Sequence, residues 1–330
     1  MGVTDFPAVI EFHDTVKDYG SNKRIGPTNL SIKKGDVMGF LGPNGSGKTT
    51  CIRLILGLIK TTSGYVKVNG FDPISKHVEA LRNVAYSPEL PNIQTFLTPG
   101  EFLNLISHEL PGFPKASLRR DEINRVLELV GLHEYSDIKV SKLSKGMVQR
   151  LSVAQALIGS PETLILDEPM IGLDPAGAAH FRDVFREFAS EGNGTVFMSS
   201  HSMSEVESLC TSVAIVHRGS ILFQGPVNEV IQKVLNYSIV LVETSALSAA
   251  TFQRLKEIPG VFEVNTVGKN RSQDFRVIEF MVRGQKEDIR PLISDLIVNS
   301  GAKLYSIKQG ENMLERAYIE ALRGNGGGKN

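Results

Sequence analysis

The run Gly42-Pro43-Asn44-Gly45-Ser46-Gly47-Lys48-Thr49 constrains this chain more than any other stretch of it. It fits G-x-x-x-x-G-K-[ST] in full. An apolar, strand-like segment, Asp36 to Leu41, precedes it, and an apolar, helix-like segment, Thr50 to Leu58, follows. Strand, glycine loop and helix in that order predict a phosphate cradle. Glycines let backbone N–H groups curl around phosphate oxygens without a Cβ in the way. The helix start adds the positive end of its dipole. Lys48 places a compact cation between the β- and γ-phosphates of a nucleotide, and the Thr49 hydroxyl suits Mg2+.

A second apolar strand, Thr163-Leu164-Ile165-Leu166, ends in the acids Asp167 and Glu168. Asp167 is expected in the Mg2+ shell. Glu168, one residue further, points elsewhere and can accept a proton from an attacking water. Two acids at a strand end are often only solvated; their pairing with a cradle gives them a role.

The bulk numbers narrow the partners. A chain of 330 residues suits two domains better than one. Lys plus Arg (36) equals Asp plus Glu (36), so no net field attracts nucleic acid or an anionic membrane. Cys51 and Cys210 form no CxxC pair, which argues against a disulfide framework and for a reducing compartment. Met1 to Ile10 lacks the basic-then-apolar pattern of a secretory signal. No apolar run approaches the roughly 20 residues of a spanning helix; the densest, Leu54 to Ile59, includes Gly57. Any membrane role would need a partner that does the spanning.

Strand-like segments (Val9 to Phe12, Leu164 to Leu166, Thr195 to Met198, Val213 to Val216) alternate with helix-like ones such as Arg120 to Val130, where Ile123, Val126, Leu127 and Val130 share a face. This predicts an α/β core over residues 1–235, with a helical subdomain at about 90–160. From Asn236 the order becomes strand (Ser238 to Glu243), helix (Ala246 to Ile258), strands (Val261 to Val267, Phe275 to Val282), helix (Asp288 to Ser300), strand (Ala302 to Ile307) and a closing helix near Leu314 to Leu322. In the Asp288 helix, Ile289, Leu292, Ile293, Leu296 and Ile297 form one stripe. The β-α-β-β-α-β order predicts a small α+β ferredoxin-like domain over 236–330. The glycine-rich tail Gly324 to Asn330 reads as flexible.

Leu143-Ser144-Lys145-Gly146-Met147 lies between the cradle and the acids. Here the chain resembles the ATP-binding cassette (ABC) family, whose signature is usually written LSGGQ; Lys145 and Met147 depart from it. The Ser-Lys-Gly-Met form resembles the exporter branch. Physically, Ser144 can cap the following helix, with Met147, Leu151, Ala154 and Ile158 as its buried stripe. Further motifs match. Gly172-Leu173-Asp174-Pro175 resembles the family's D-loop, and His201 its switch histidine, able to bond the γ-phosphate and orient Glu168. Tyr19 is similar to the aromatic that stacks on adenine. Glu89, in Tyr86-Ser87-Pro88-Glu89, stands where many members carry a glutamine that touches Mg2+ and couples to the membrane subunit.

The resemblance, covering residues 8 to 235, implies a P-loop ATPase with ATP and Mg2+ as cofactors. Gly42 to Thr50, Tyr19 and Glu89 would contact the nucleotide. So would Ser144 and Gly146, from the opposite copy. Thr49, Glu89 and Asp167 would surround the metal; Glu168, His201 and Lys48 would act in catalysis. It implies a head-to-tail dimer of ATP-binding subunits beneath an integral membrane permease, on the cytoplasmic face. Leu97, Phe102, Leu103 and Leu105 could supply apolar contacts to that permease, although core packing is the commoner fate for most residues of this kind. A soluble ABC ATPase acting on nucleic acid or the ribosome is the alternative; the single cassette, neutral charge and absence of a CxxC hook count against it. A regulatory module that senses ATP without turnover is a third reading, opposed by the intact Glu168 and His201.

Overall fold

The computed structural model describes residues 8–20, 23–110, 115–191, 194–270, 275–283, 288–310 and 312–326. The first residues of the segment Met1 to Ile10 and the end of the glycine-rich tail lie outside these. Two compact units divide the chain, Met1–Val227 and Asn228–Asn330.

The first unit begins with strands β1 (Ala8–Asp18), β2 (Arg24–Lys33) and β3 (Val37–Leu41), followed by helix α1 (Lys48–Ile55). Strand β4 (Ser63–Val68), the short helix α2 (His77–Ala80) and β5 (Val84–Ser87) come next. Three helices, α3 (Pro99–Glu109), α4 (Ala116–Leu129) and α5 (Lys145–Leu157), fill the expected helical stretch. Strands and helices then alternate: β6 (Thr163–Asp167), α6 (Pro175–Glu191), β7 (Thr195–Ser200), α7 (Met203–Leu209), β8 (Ser212–His217) and β9 (Ser220–Pro226).

Six strands form the central sheet in the order β5-β6-β7-β3-β8-β9, parallel except for β9. Its middle strands β3, β6 and β7 are buried at every position, as a sheet covered on both faces requires. A three-stranded antiparallel sheet, β2-β1-β4, lies apart from it. Ile10, Ile32 and Val68 of this small sheet, Ile52 and Ile55 of α1, and Phe40, Ile165 and Phe197 of the central sheet share one core. Phe40 and Phe197 rings meet at 5.3 Å, on strands that are hydrogen-bonded neighbours.

Helix α5 differs from the expected single stripe. Leu151, Ala154 and Ile158 are buried and Met147 is half-buried, but Gln149, Ser152, Val153 and Ala156 are buried too. Small residues let it be enclosed on most of its circumference; the Ser152 hydroxyl is satisfied by Ser87 Oγ at 2.8 Å.

The second unit carries α8 (Val227–Leu235), β10 (Ser238–Ser245), α9 (Ala249–Lys256), β11 (Val261–Asn270), β12 (Phe275–Val282), α10 (Arg290–Asn299), β13 (Leu304–Gln309) and α11 (Met313–Gly326). Its antiparallel sheet runs β11-β12-β10-β13, joining the second, third, first and fourth strands of the unit. Val242, Ile278, Phe280, Leu255, Ile293 and Ile297 make its core. Leu292 is 54 % exposed, so the α10 stripe is narrower than the sequence predicts. On the sheet, buried Glu279 takes a two-pronged ion pair from Arg316 of α11, Nη2 to Oε1 at 2.6 Å. The unit starts at Asn228, in the first turn of α8; the expected boundary at 235/236 falls after that helix. Apolar pattern alone does not show which side a connecting helix joins.

Candidate active site

The cradle, the acids and the histidine leave the carboxyl ends of three adjacent strands: β3, β6 and β7. In an open α/β sheet that edge is where ligands bind. Gly45 (φ 79) and Gly47 (φ 112) take the left-handed conformations that turn the loop. At Gly42 a Cβ would come within 2.4 Å of the Val216 carbonyl oxygen, so the loop starts too close to β8 for any side chain. Helix α1 opens at Lys48 with no side-chain cap and no acid in its first turn. Its first N–H groups therefore keep no side-chain acceptor, the state in which a helix start binds phosphate. Buried Ser46 Oγ has no hydrogen-bond partner either.

The loop is tied into its surroundings through its backbone. Ser46 O accepts from Gly219 N at 3.0 Å, and Gly219 O accepts from Gly26 N at 2.6 Å. Gly42 N donates to Ser200 O at 3.2 Å. The loop is thus hydrogen-bonded to the β8–β9 turn, and through it to β2, and on its other flank to the end of β7.

Lys48 Nζ donates to Gly42 O at 2.7 Å and lies 3.3 Å from Glu168 Oε1. Glu168 Oε2 accepts from His201 Nδ1 at 2.8 Å. With the ionised carboxylate as acceptor, the proton sits on Nδ1 and Nε2 is the imidazole's other face. Glu168 has φ 51, a left-handed conformation rare for a side-chain-bearing residue, and its N–H donates to Ser199 Oγ at 3.0 Å. The same hydroxyl donates to Asp167 Oδ1 at 2.5 Å. Ser199 thus ties the Asp167 side chain to the Glu168 backbone at the strand end. Burial pushes the Asp167 carboxyl above its usual range; the Ser199 hydrogen bond opposes this, and the charges of Glu89 and Glu168 add to it.

A cavity of about 360 Å³ lies over the loop, lined by Asn44, Gly45, Gly47, Lys48, Thr49 and Thr50, by Glu89, Asp167 and Glu168, and by Tyr19. The half-exposed Tyr19 hydroxyl meets Thr50 Oγ1 at 3.3 Å, and Lys17 and Lys23 ammonium groups lie 5.4 and 5.6 Å from its ring centre. Pro43 is an exposed loop residue, outside that lining. A hollow of about 410 Å³ elsewhere carries less chemistry: its Arg125 is held by Glu122 and its Glu162 by Asn83.

Ser144 and Gly146 line a separate hollow of about 390 Å³, shared with Gly172 and Asp174. Ser144 caps α5, accepting from Met147 N at 3.2 Å. A Cβ at Gly146 would lie 2.8 Å from Gly172 O, so the close packing of the two loops requires glycine there. The structure thus gathers Tyr19, the cradle, Glu89 and the acids around one cavity, sets His201 against Glu168, and keeps the capped helix start apart.

Three contributors were not singled out from sequence. Ser199 lies between the strand Thr195 to Met198 and His201 and belongs to neither motif. Lys23 and Arg53 line the cavity but carry no motif. Of the four apolar residues considered for a membrane partner, Phe102 and Leu103 are buried, Leu97 is half-buried and only Leu105 is exposed; Leu90 and Phe96 are the larger exposed apolar surfaces nearby in sequence.

Parallel sheet, cradle and paired acids define a P-loop nucleotide-binding protein. A family model described as ABC transporter matches residues 25–171. The bacitracin transport ATP-binding protein BcrA of Bacillus licheniformis is 35% identical over 316 residues, 96% of this chain and 98% of that protein. A solved structure described as the ATP binding subunit of an ABC transporter is 25% identical, with a TM-score of 0.61, covering 68% of this chain and 92% of its own. A dimeric post-hydrolysis ATP-binding cassette bound to ADP and Pi shares the fold at 22% identity and a TM-score of 0.60, over 66% of this chain and 98% of its own. The chain belongs to the ABC transporter family, as one of its ATP-binding, ATP-hydrolysing subunits.

Proposed function

We propose that this subunit drives export of a cargo through an integral membrane permease, as a cytoplasmic homodimer bound to the inner membrane face. The observation that carries the reading is the chain Lys48–Glu168–His201 at the mouth of the cradle, in which a buried ion pair meets an exposed imidazole, a set of groups suited to a γ-phosphate and an attacking water. Export is supported by the Ser-Lys-Gly-Met signature and by the relative named for bacitracin transport. Among the described residues no helix is long and apolar enough to cross a membrane, so passage of cargo falls to the permease.

In this reading the α1 start and the loop N–H groups hold the phosphates, and Tyr19 stacks on the base. Glu168 takes a proton from water as its oxygen attacks the γ-phosphorus and the bond to the β-phosphate oxygen breaks, giving ADP and phosphate. His201 fixes the Glu168 carboxylate; Lys48 stabilises charge on the transferring group. Among the described residues no cluster of three or more His, Cys, Asp or Glu side chains could hold a metal by itself. Thr49 and Asp167, with Glu89 beside them, would hold a Mg2+ brought in with the nucleotide, and the ion would neutralise phosphate charge. Ser144 and Gly146 present the α5 start to the nucleotide of the opposite copy.

The test joins chemistry to transport. The chain is purified with the membrane protein that accompanies it, and ATPase activity is compared with and without that partner. A host expressing both is then challenged with bacitracin and other amphiphilic peptides. Partner-stimulated turnover and resistance that Glu168→Gln abolishes support the reading. ATPase activity stimulated instead by nucleic acid, with no membrane partner, would overturn it.

A further inference from the structure

Strand β7 ends in two fully buried serines whose side chains point opposite ways. Ser199 serves the acids. Ser200 Oγ donates to Glu205 Oε2 at 3.0 Å and accepts from Ser202 N at 2.9 Å, while Ser200 O accepts from Gly42 N at 3.2 Å. Ser202 is the N-cap of α7, its hydroxyl accepting from Glu205 N at 3.4 Å.

Helix α3 shows the unmodified form of this arrangement. There Thr98 caps Glu101 N at 3.2 Å, and Glu101 Oε2 accepts directly from Thr98 N at 2.9 Å. In α7 the cap residue and the glutamate keep the same spacing, Ser202-x-x-Glu205, but the Ser200 hydroxyl is inserted between them. The cap N–H reaches the carboxylate through a relay. Residues 200, 202 and 205 thereby close a hydrogen-bonded ring around one residue, His201, whose side chain leaves the ring and reaches Glu168 at 2.8 Å.

Burial pushes the Glu205 carboxyl up; the Ser200 hydrogen bond acts against that, and Glu168 and His201 face it from the active-site side, with Arg182 of α6 also near. A half-buried carboxylate in contact with a fully buried hydroxyl is an expensive way to cap a seven-residue helix. A direct capping box would do that without Ser200. What the relay adds is a fixed backbone on both sides of His201, tied to the first residue of the phosphate loop.

We propose that Glu205, acting through the Ser200 hydroxyl, is a positioning residue that holds His201 against Glu168. The proposal rests on the reading of His201 given above. It predicts that the acceptor oxygen matters and the charge does not, because the relay needs only a lone pair at that point.

The experiment uses the full chain with Glu205→Gln, Glu205→Ala, Ser200→Ala and the Ser200→Ala/Glu205→Ala double variant. Thermal melts verify folding. The readouts are kcat and KM for Mg·ATP and the nitrogen-15 ring signals of His201. Glu205→Ala is expected to lower kcat about tenfold with KM changed less than about twofold, the split expected when a step after binding is affected. It is also expected to broaden or shift the Nδ1 signal. Glu205→Gln, which still accepts from Ser200, is expected to keep kcat within about threefold. The double variant is expected to be no worse than the weaker single, since both break one relay. If Glu205→Ala leaves the ring signal in place, or if the two single losses multiply, the proposal is overturned. His201→Ala separates it from the reading beneath: full turnover there removes His201 from catalysis, whereas the ring signal still decides whether Glu205 positions it. Should Glu205→Ala fail to fold, Glu205→Gln decides: a tenfold loss with an acceptor still present overturns the relay.

Discussion

Lys48 and Glu168 form an ion pair whose two side chains are only 7% and 8% exposed. Each supplies the other's opposite charge, beside the hydrogen bonds to Gly42 O and from His201, since a lone charge at that depth is costly. A γ-phosphate in the cradle offers Lys48 a stronger acceptor, and the carboxylate oxygen that faced it becomes free to accept from water. Lys48→Ala is therefore expected to abolish ATPase activity and to weaken ATP binding at least tenfold, by about 1.4 kcal/mol or more. Turnover assays and titration with a fluorescent ATP analogue check both, and wild-type values in either would refute the assignment of the cradle.

Glu168→Gln keeps the shape of the side chain and removes the proton acceptor. It is expected to trap a dimer in Mg·ATP, because in the proposed homodimer the α5 start capped by Ser144 would offer N–H donors and a dipole to the γ-phosphate of the opposite copy, about 1–2 kcal/mol at each of two sites. Light scattering should show a dimer with Mg·ATP, a monomer with Mg·ADP, and a monomer when Ser144→Arg is added. A dimer in that last case would show that the signature helix is not the contact.

Glu89 lines the same cavity as Asp167, whose carboxyl burial raises, and the Glu89 charge raises it further. Glu89→Gln removes that negative charge. The expected outcome is retained Mg·ATP binding with altered turnover, or altered stimulation by the membrane partner, in a manner that depends on Mg2+ concentration. Superimposable rate curves over a Mg2+ series would place Glu89 outside the metal's reach.

Arg316 and Glu279 test the second unit. Removing Arg316 strands a carboxylate that is 4% exposed. Arg316→Ala is expected to destabilise this unit by roughly 3 kcal/mol, with Glu279→Met/Arg316→Leu recovering much of the loss. Denaturant melts of the full chain, followed by hydrogen exchange in β12, measure it; ATP binding should persist in both variants.

The cradle and the acids were legible because their chemistry lies within eight and two consecutive residues, and a parallel strand buried on both faces reads as an unbroken apolar run. Segments Leu164 to Leu166 and Val213 to Val216 reappear as β6 and β8, each longer by one residue at both ends. Strands β2, β4, β5 and β9 were not read. Strand β2, Arg-Ile-Gly-Pro-Thr-Asn-Leu-Ser-Ile-Lys, holds a glycine and a proline, and its buried positions alternate with polar residues that suit a loop equally well. The burial of Phe102 and Leu103 was open from sequence because a helix face toward a partner and one toward the core share a period. Ser199 and Ser200 escaped for a different reason. Their roles depend on which side of β7 each faces, and on acids that sit more than thirty residues earlier for one and five residues later for the other.

The hydrogen bonds from Gly219 to Ser46, from Gly26 to Gly219 and from Gly42 to Ser200 have a mechanical meaning. A seat anchored on both flanks to sheet strands behaves as an anvil rather than a spring. Little of the free energy released when a phosphate lands is absorbed in bending the seat. On the proposed function, the stroke that moves a permease would then fall to parts with fewer such anchors, away from the surface on which the nucleotide rests.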